Sequence, residues 1–291
     1  MRNASNKVKS VRVLSFILSL LSPLVLAQEP EDWFQLFNGR NLDGWIAKVR
    51  TYPAGENPMN TFRVEDGLLT VSYDGYENFD NRFGHLFYDT PFSHYRLRVE
   101  YRFIGDPAPG TQEWAYRNSG AMLHSQDPYS MPPEQDFPIS IEFQFLGGLS
   151  DGNARPSGNM CSPGTHIVYE GQWTDQHCIN STSPTLDGDQ WVQVEVLMLG
   201  NEQVIHYVNG EIVMSYGGLT TGGGVVSGHD PAQKPEGAAL EAGYISLQSE
   251  GHPLQFRRVE LLNLKGCMDS TAANFKPWFV EADPAACLYQ E

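Results

Sequence analysis

Between Arg117 and Gly147 the chain reads RNSGAMLHSQDPYSMPPEQDFPISIEFQFLG, and this stretch holds the side chains best suited to chemistry. In its second half Ser140, Glu142 and Gln144 fall on one side of a period-two strand, with Ile139, Ile141, Phe143 and Phe145 on the other. In its first half Asn118, Gly120, Met122 and His124 share a side. If the two segments are neighbours in a sheet, His124, Glu142 and Gln144 converge on one polar face. A carboxylate and an imidazole within mutual reach are the usual parts of an acid–base pair. Upstream, Glu100 and Arg102 alternate with Val99, Tyr101 and Phe103 and could line the same cleft, although charged residues on one face of a strand are ordinarily a solvated surface, the reading given to Arg96 and Arg98. Glu100, His124 and Glu142 together are donors that suit several divalent metal ions.

The elements that must position these residues are strands. TFRVEDGLLTVS is a hairpin around Asp66-Gly67, and VIHYVNGEIVMSY is a second around Asn209-Gly210, the pair that a type I′ turn favours. On that second hairpin Glu202, Val204, His206 and Val208 share a face, so His206 is either a half-buried hairpin residue or part of a site. GYISLQSEGHPLQFRRVELLNL supplies the last strands, with Tyr244, Ser246 and Gln248 on one side. No long stretch has a period of 3.6, so the chain reads as all-β, a sandwich of two antiparallel sheets. The Gly run at 222–224 lacks the setting of a phosphate cradle.

The formal net charge of -16 argues against nucleic acid or an anionic membrane as a partner and leaves a neutral sugar or a cation as the better fit. Arg2, Lys7, Lys9 and Arg12 precede the apolar run VLSFILSLLSPLVLA, which suits a secretory signal over residues 1–27, and no later run is long enough to span a bilayer. An exported chain meets an oxidising compartment, so its four cysteines are expected as two disulfides, Cys161 with Cys178 and Cys267 with Cys287. Each pair bounds a compact loop-like stretch, and neither has the close spacing of a structural zinc site. The first pair would tether a long Gly/Ser/Asn-rich loop and hold His166, Tyr169, Trp173 and His177 over a sheet face, where Tyr169 and Trp173 could stack on sugar rings.

LFNGRNLDGW, RNSGAMLH, SIEFQ, HYVNGEIV and GYISLQSEGHPLQFRRVEL occur in the order found in the 3-keto-disaccharide hydrolase-like family, formerly domain of unknown function 1080, and the chain resembles that family from about Trp33 to Leu264. The resemblance implies a concanavalin A-like jelly roll over residues 28–264 that acts on carbohydrate, cleaving glycosides whose sugar is oxidised to a ketone at C3. It places Asn118, Ser119, Gly120, Glu142, Gln144, His206, Gln248 and Arg257 on the family's motif positions. The long loops at 127–136 and 149–188 depart from simpler members and leave the substrate open. Residues 265–291 resemble the cysteine-bounded tails of secreted bacterial proteins and read as a stub packed on the sandwich.

Sandwich glucanases carry Glu-x-Asp-x-x-Glu on one strand, whereas Glu142 to Gly147 here reads EFQFLG, so a second carboxylate is missing from that strand. One base suffices if the substrate is already a 3-ketone, because the ketone acidifies the C2 proton, the enolate expels the group at C1, and water adds back. Glu142 or His124 is the expected base; Arg102, His206 or a metal ion is expected to stabilise the enolate. The alternative is a non-catalytic sugar-binding sandwich with the same polar face.

Overall fold

The computed structural model describes residues 32–290, so the secretory signal expected over residues 1–27 lies outside the described residues. The chain order begins with β1 (Phe34–Gln35), β2 (Trp45–Val49), β3 (Phe62–Glu65), β4 (Leu68–Val71), β5 (Gly84–Tyr88) and β6 (His94–Phe103). It continues with β7 (Asn118–Ser125), β8 (Ile141–Leu146), β9 (Asn159–Cys161), β10 (Thr165–Tyr169), β11 (Gln172–Thr174), β12 (Cys178–Ile179) and β13 (Val192–Leu199). The last strands are β14 (Gln203–Val208), β15 (Glu211–Thr221), β16 (Tyr244–Ser249), β17 (Leu254–Asn263), β18 (Lys265–Gly266) and β19 (Glu281–Ala282). Among the described residues there is no α-helix, and no helix is long and apolar enough to cross a membrane.

Two antiparallel sheets form a jelly-roll sandwich. One runs β11-β10-β15-β14-β13-β6-β17-β4-β3, with β1 added on β17, and the other runs β12-β9-β8-β7-β16-β5-β2. Each strand sends alternate residues inward, which is why Leu97, Val99 and Tyr101 of one sheet share a core with Phe143 and Phe145 of the other: the Tyr101 and Phe145 rings stack at 4.7 Å. These side chains are at most 1% exposed, and each full burial of this kind stabilises the fold by about 1.5–3 kcal/mol. Both expected hairpin turns form with positive φ at both positions, 50° and 78° at Asp66-Gly67 and 50° and 88° at Asn209-Gly210.

Both disulfides, Cys161–Cys178 and Cys267–Cys287, are present. The first joins facing residues of β9 and β12 in the seven-stranded sheet. Between them the chain leaves that sheet, forms the β10–β11 edge of the ten-stranded sheet, and returns. The tail after Leu264 closes on itself through the parallel pair β18–β19 and docks on the sandwich through the Val280 amide, which donates to the Leu264 carbonyl, and an Asp32–Lys276 ion pair at 2.8 Å.

Candidate functional site

The outer face of the seven-stranded sheet, turned away from the core, carries the chemistry. Strand pairing sets its residues in rows across the sheet. Met122, Glu142, Cys161 and Cys178 form one row, and Gly120, Gln144 and Asn159 form the next. Extending the pairing of β7 with β16 by further steps places Gln248 beside Gly120 and Glu250 beside Asn118. Gly120 is the position on which the site turns. A Cβ built there would lie 2.8 Å from Glu142 Oε1 and 3.0 Å from Glu142 Cγ, so the Glu142 side chain lies diagonally across the strand through the space that only glycine leaves open.

Glu142 and Glu250 reach one cavity of about 320 Å³, walled by Asn118, Gln144, His177 and the Cys161–Cys178 disulfide, with Trp114 and Phe137 among its apolar lining. Trp114 is 49% exposed and stands at the cavity's solvent side. Glu142 is 6% exposed and Glu250 3%, and among the described residues neither carboxyl has an ion pair within salt-bridge distance. Burial pushes the Glu142 carboxyl up, to about 8. Burial also raises Glu250 well above the carboxylate range, the Glu142 charge raises it further, and the Arg155 guanidinium opposes. Both carboxyls thus hold their protons above the ordinary carboxylate range, and the charge of one disfavours the charge of the other.

Arg155 is positioned by carbonyls. It donates to the oxygens of Gly147 at 2.5 Å, Tyr116 at 2.6 Å and Arg117 at 3.0 Å, which fixes its charge near Glu250. Gln144 accepts from Asn159 Nδ2 at 2.9 Å, which sets the orientation of its carboxamide. Asn118 Oδ1 and His177 Nδ1 are buried without a partner among the described residues. Burial lowers the His177 ring, so it is a neutral imidazole. The cavity therefore presents two neutralised carboxyls, two carboxamides and an imidazole beside apolar walls, a set suited to a neutral polyhydroxylated ligand.

Of the residues expected from the sequence, Asn118, Glu142 and Gln144 come together in this cavity, and His177 joins them. Gln248 shares the sheet face but lies fully buried beyond the cavity wall. His124 is displaced from the face foreseen for it: its φ of 47° and the register break between β7 and β16 form a bulge, which turns the ring inward against Tyr95 at 5.8 Å. There its ring nitrogens contact the Leu240 and Ser93 carbonyls, at 3.1 and 3.2 Å. His206 also belongs to the core, against Phe143 at 4.1 Å, with its ring nitrogens on the Gly158 carbonyl and the Tyr216 hydroxyl, both at 2.9 Å. Burial lowers both histidines to about 4.

Glu100 and Arg102 do not line the cleft either. They occupy the outer face of the opposite sheet, where Glu100 pairs with Arg257 and Arg258, and Arg102 binds Gln255 Oε1 at 2.7 and 3.0 Å and lies 4.7 Å over the Trp191 ring. Arg96 and Arg98 share that face, paired with Glu195. The period-two pattern separated the charged from the apolar face of β6 correctly but could not say which sheet β6 would join. Tyr169 packs on the core, and Trp173, 59% exposed, sits on the β11 edge with its ring 4.8 Å from His166.

Glu100, His124 and Glu142 thus lie on three different surfaces and do not form a metal ligand set. The cluster Cys161, His177 and Cys178 brings three donor atoms within 4.8 Å, but its two sulfurs are spent in the disulfide and offer no thiolate. Two residues escaped the sequence reading. Glu250 continues the Tyr244, Ser246, Gln248 alternation by one further step, so its signal was present; Arg155 sits in a Gly/Ser/Asn-rich loop and had none.

The family described as 3-keto-alpha-glucoside-1,2-lyase-like domain matches residues 32–262. Among solved structures, two Parabacteroides distasonis ATCC 8503 proteins provisionally assigned as glycosyl hydrolases are similar at 16% identity; the alignments cover 79% and 81% of this chain and 98% of each of theirs, with TM-scores of 0.48 and 0.46. A carbohydrate-binding module from Bacillus subtilis is similar at 9% identity over 80% of this chain and 96% of its own, with a TM-score of 0.36. No curated protein matches the sequence.

Proposed function

The chain belongs to the 3-keto-alpha-glucoside-1,2-lyase-like family, and from that premise we propose that it is an exported carbohydrate-active enzyme that cleaves 3-keto-glycosides by elimination followed by hydration. The observation that carries the reading is the convergence of two buried carboxyls, Glu142 and Glu250, on one cavity over Gly120. The second carboxyl missing from β8 is supplied from the end of β16.

Glu142, whose carboxyl lies over Gly120, takes the proton from C2 of the keto sugar. Its raised pKa makes the ionised form a stronger base than an ordinary carboxylate. The C2–H electrons delocalise onto the C3 oxygen, which accepts hydrogen bonds from the carboxamides of Asn118 and Gln144. Collapse of this enolate breaks the bond from C1 to the glycosidic oxygen, and Glu250 delivers its proton to the departing oxygen. Water then adds at C1 of the enone while C2 regains a proton, so the net change is hydrolysis. Arg155 limits how far Glu250's pKa rises, which keeps the acid able to release its proton.

The two disulfides, the expected signal over residues 1–27 and the acidic net charge support export. The test compares wild type, Glu142→Gln and Glu250→Gln on 3-keto-disaccharides and on a 3-keto-glucoside of 4-nitrophenol. Glu142→Gln is expected to fail on both substrates, whereas Glu250→Gln recovers on the nitrophenol, which leaves without an acid. Binding of disaccharide with no turnover by the wild type would overturn the enzyme reading in favour of a sugar-binding sandwich.

A further inference from the structure

A second set of buried polar groups lies on the same sheet face, beyond the cavity. Continuing the row from Gly120 across the sheet gives Gln248 on β16, His85 on β5 and Lys48 on β2. At strand spacing this run covers about 14 Å from Gly120. Both ring nitrogens of His85, both carboxamide atoms of Gln248 and the Ser246 hydroxyl are buried without a partner among the described residues, and all three residues are 0% exposed. The core histidine His206 differs, since one of its ring nitrogens can donate to the Gly158 carbonyl while the other accepts from the Tyr216 hydroxyl. Leaving a buried polar group unpaired costs roughly 1–3 kcal/mol, so such a row is not expected unless something else fills its hydrogen-bonding capacity.

The row is roofed by the strap of residues 126–138, the Pro-rich excursion between β7 and β8. The strap is fastened at its two margins. On one, the carbonyl of Pro133 accepts from Lys48 Nζ at 3.1 Å and from the Thr51 amide at 2.7 Å, and the Glu134 carbonyl accepts from Arg50 Nε at 3.2 Å. On the other, Asp136 accepts from the Ser227 amide and hydroxyl at 2.9 and 2.6 Å. Phe137 lines the Glu142 cavity and also meets the His85 ring edge-on at 5.9 Å, so this one side chain partitions the cavity from the row.

We propose that the site continues beneath this strap as a second sugar subsite, in which Ser246, Gln248 and His85 hydrogen-bond the hydroxyls of the residue next to the one over Gly120, once Phe137 has moved aside. The inference rests on the proposed function only in placing a sugar over Gly120. A hydroxyl, a carboxamide and a neutral imidazole each donate and accept, as vicinal sugar hydroxyls do. Lys48 directs its ammonium to the carbonyls of Val49 and Pro133 at the strap's margin, away from the three neutral groups, and a cation would find no carboxylate on these three residues. Burial and the Lys48 charge hold the His85 ring neutral. A ligand of at least two sugar units follows.

Calorimetry on the full chain, with unoxidised disaccharides (cellobiose, maltose, lactose and trehalose) and methyl glucoside as probes, reads binding without turnover. The wild type should bind at least one disaccharide more tightly than methyl glucoside. His85→Leu and Gln248→Leu should each lower that disaccharide's affinity roughly tenfold, leave methyl glucoside unchanged, and raise the melting temperature, since each removes unpaired buried polar atoms. Disaccharide preference that survives both substitutions overturns the subsite, as does equal binding of disaccharide and monosaccharide by the wild type. A protein that shows the preference but cleaves no 3-keto-glycoside would refute the proposed reaction and leave the subsite standing.

Discussion

Replacing Gly120 by alanine isolates the geometry of the acid–base pair from its chemistry, because both carboxyls and the cavity walls keep their identities. Gly120 has no positive φ in the structure, so alanine suits its backbone, and the added methyl acts mainly on its neighbours. Those neighbours are Glu142 Oε1 at 2.8 Å, Glu142 Cγ at 3.0 Å and the Phe143 carbonyl oxygen at 3.1 Å. Ordinary non-bonded contact begins near 3.5 Å, so the carboxyl must retreat by roughly 0.5 Å or more, while the Phe143 carbonyl yields by a few tenths of an ångström. A 1 Å misplacement of a catalytic group costs on the order of a hundredfold, and a shift of this size should lower kcat/KM by roughly 10- to 100-fold. The stability change should stay within about 1 kcal/mol, because the flexible end of Glu142 can move without opening the core. Turnover of a 3-keto-disaccharide measured beside thermal unfolding checks both numbers. A variant that unfolds normally and keeps kcat/KM within about twofold would refute the placement of Glu142 over Gly120 as the working position of the base.

The pH dependence of stability should carry the mark of Glu142. Its carboxyl titrates at about 8 in the fold and near 4.5 when exposed, so between these values the unfolded chain has lost a proton that the folded chain keeps, and stability falls as pH rises through that window. Glu142→Gln should flatten denaturant-melt stability by up to about 1.4 kcal/mol per pH unit there. In the opposite sense, His124 and His206, held to about 4, contribute stability above pH 6.5 that is lost as pH falls towards 4, and phenylalanine at His206 should reduce that acid-side slope. Joint replacement of Cys161 and Cys178 by alanine should cost about 3 kcal/mol for a closed loop of this length and lower kcat/KM, since the bond forms the wall beside Glu142, whereas the same change at Cys267 and Cys287 should leave kcat/KM intact. Arg102→Ala should leave kcat/KM within about twofold, because the side chain lies on the far sheet; a large loss with normal unfolding would contradict the assigned topology.

The sequence by itself determined the all-β class, the two hairpin turns, the cysteine pairing and the side of its own strand on which nearly every candidate residue falls. These are local properties: alternation of two, paired turn residues that accept positive φ, and cysteines that bound compact stretches. Asn118, Glu142 and Gln144 were legible as one face because they lie on strands adjacent both in the chain and in the sheet. What alternation cannot carry is sheet membership, since a charged face looks the same whichever layer its strand joins; Glu100 and Arg102 therefore went to the far surface of the sandwich. Nor can it carry a bulge: one residue at positive φ reversed His124, and nothing in its neighbours announced the reversal. Tertiary structure alone brought Glu250 from the end of β16 and Arg155 from a loop to Glu142, because contacts between residues so far apart in sequence are set by strand pairing and packing, not by local pattern.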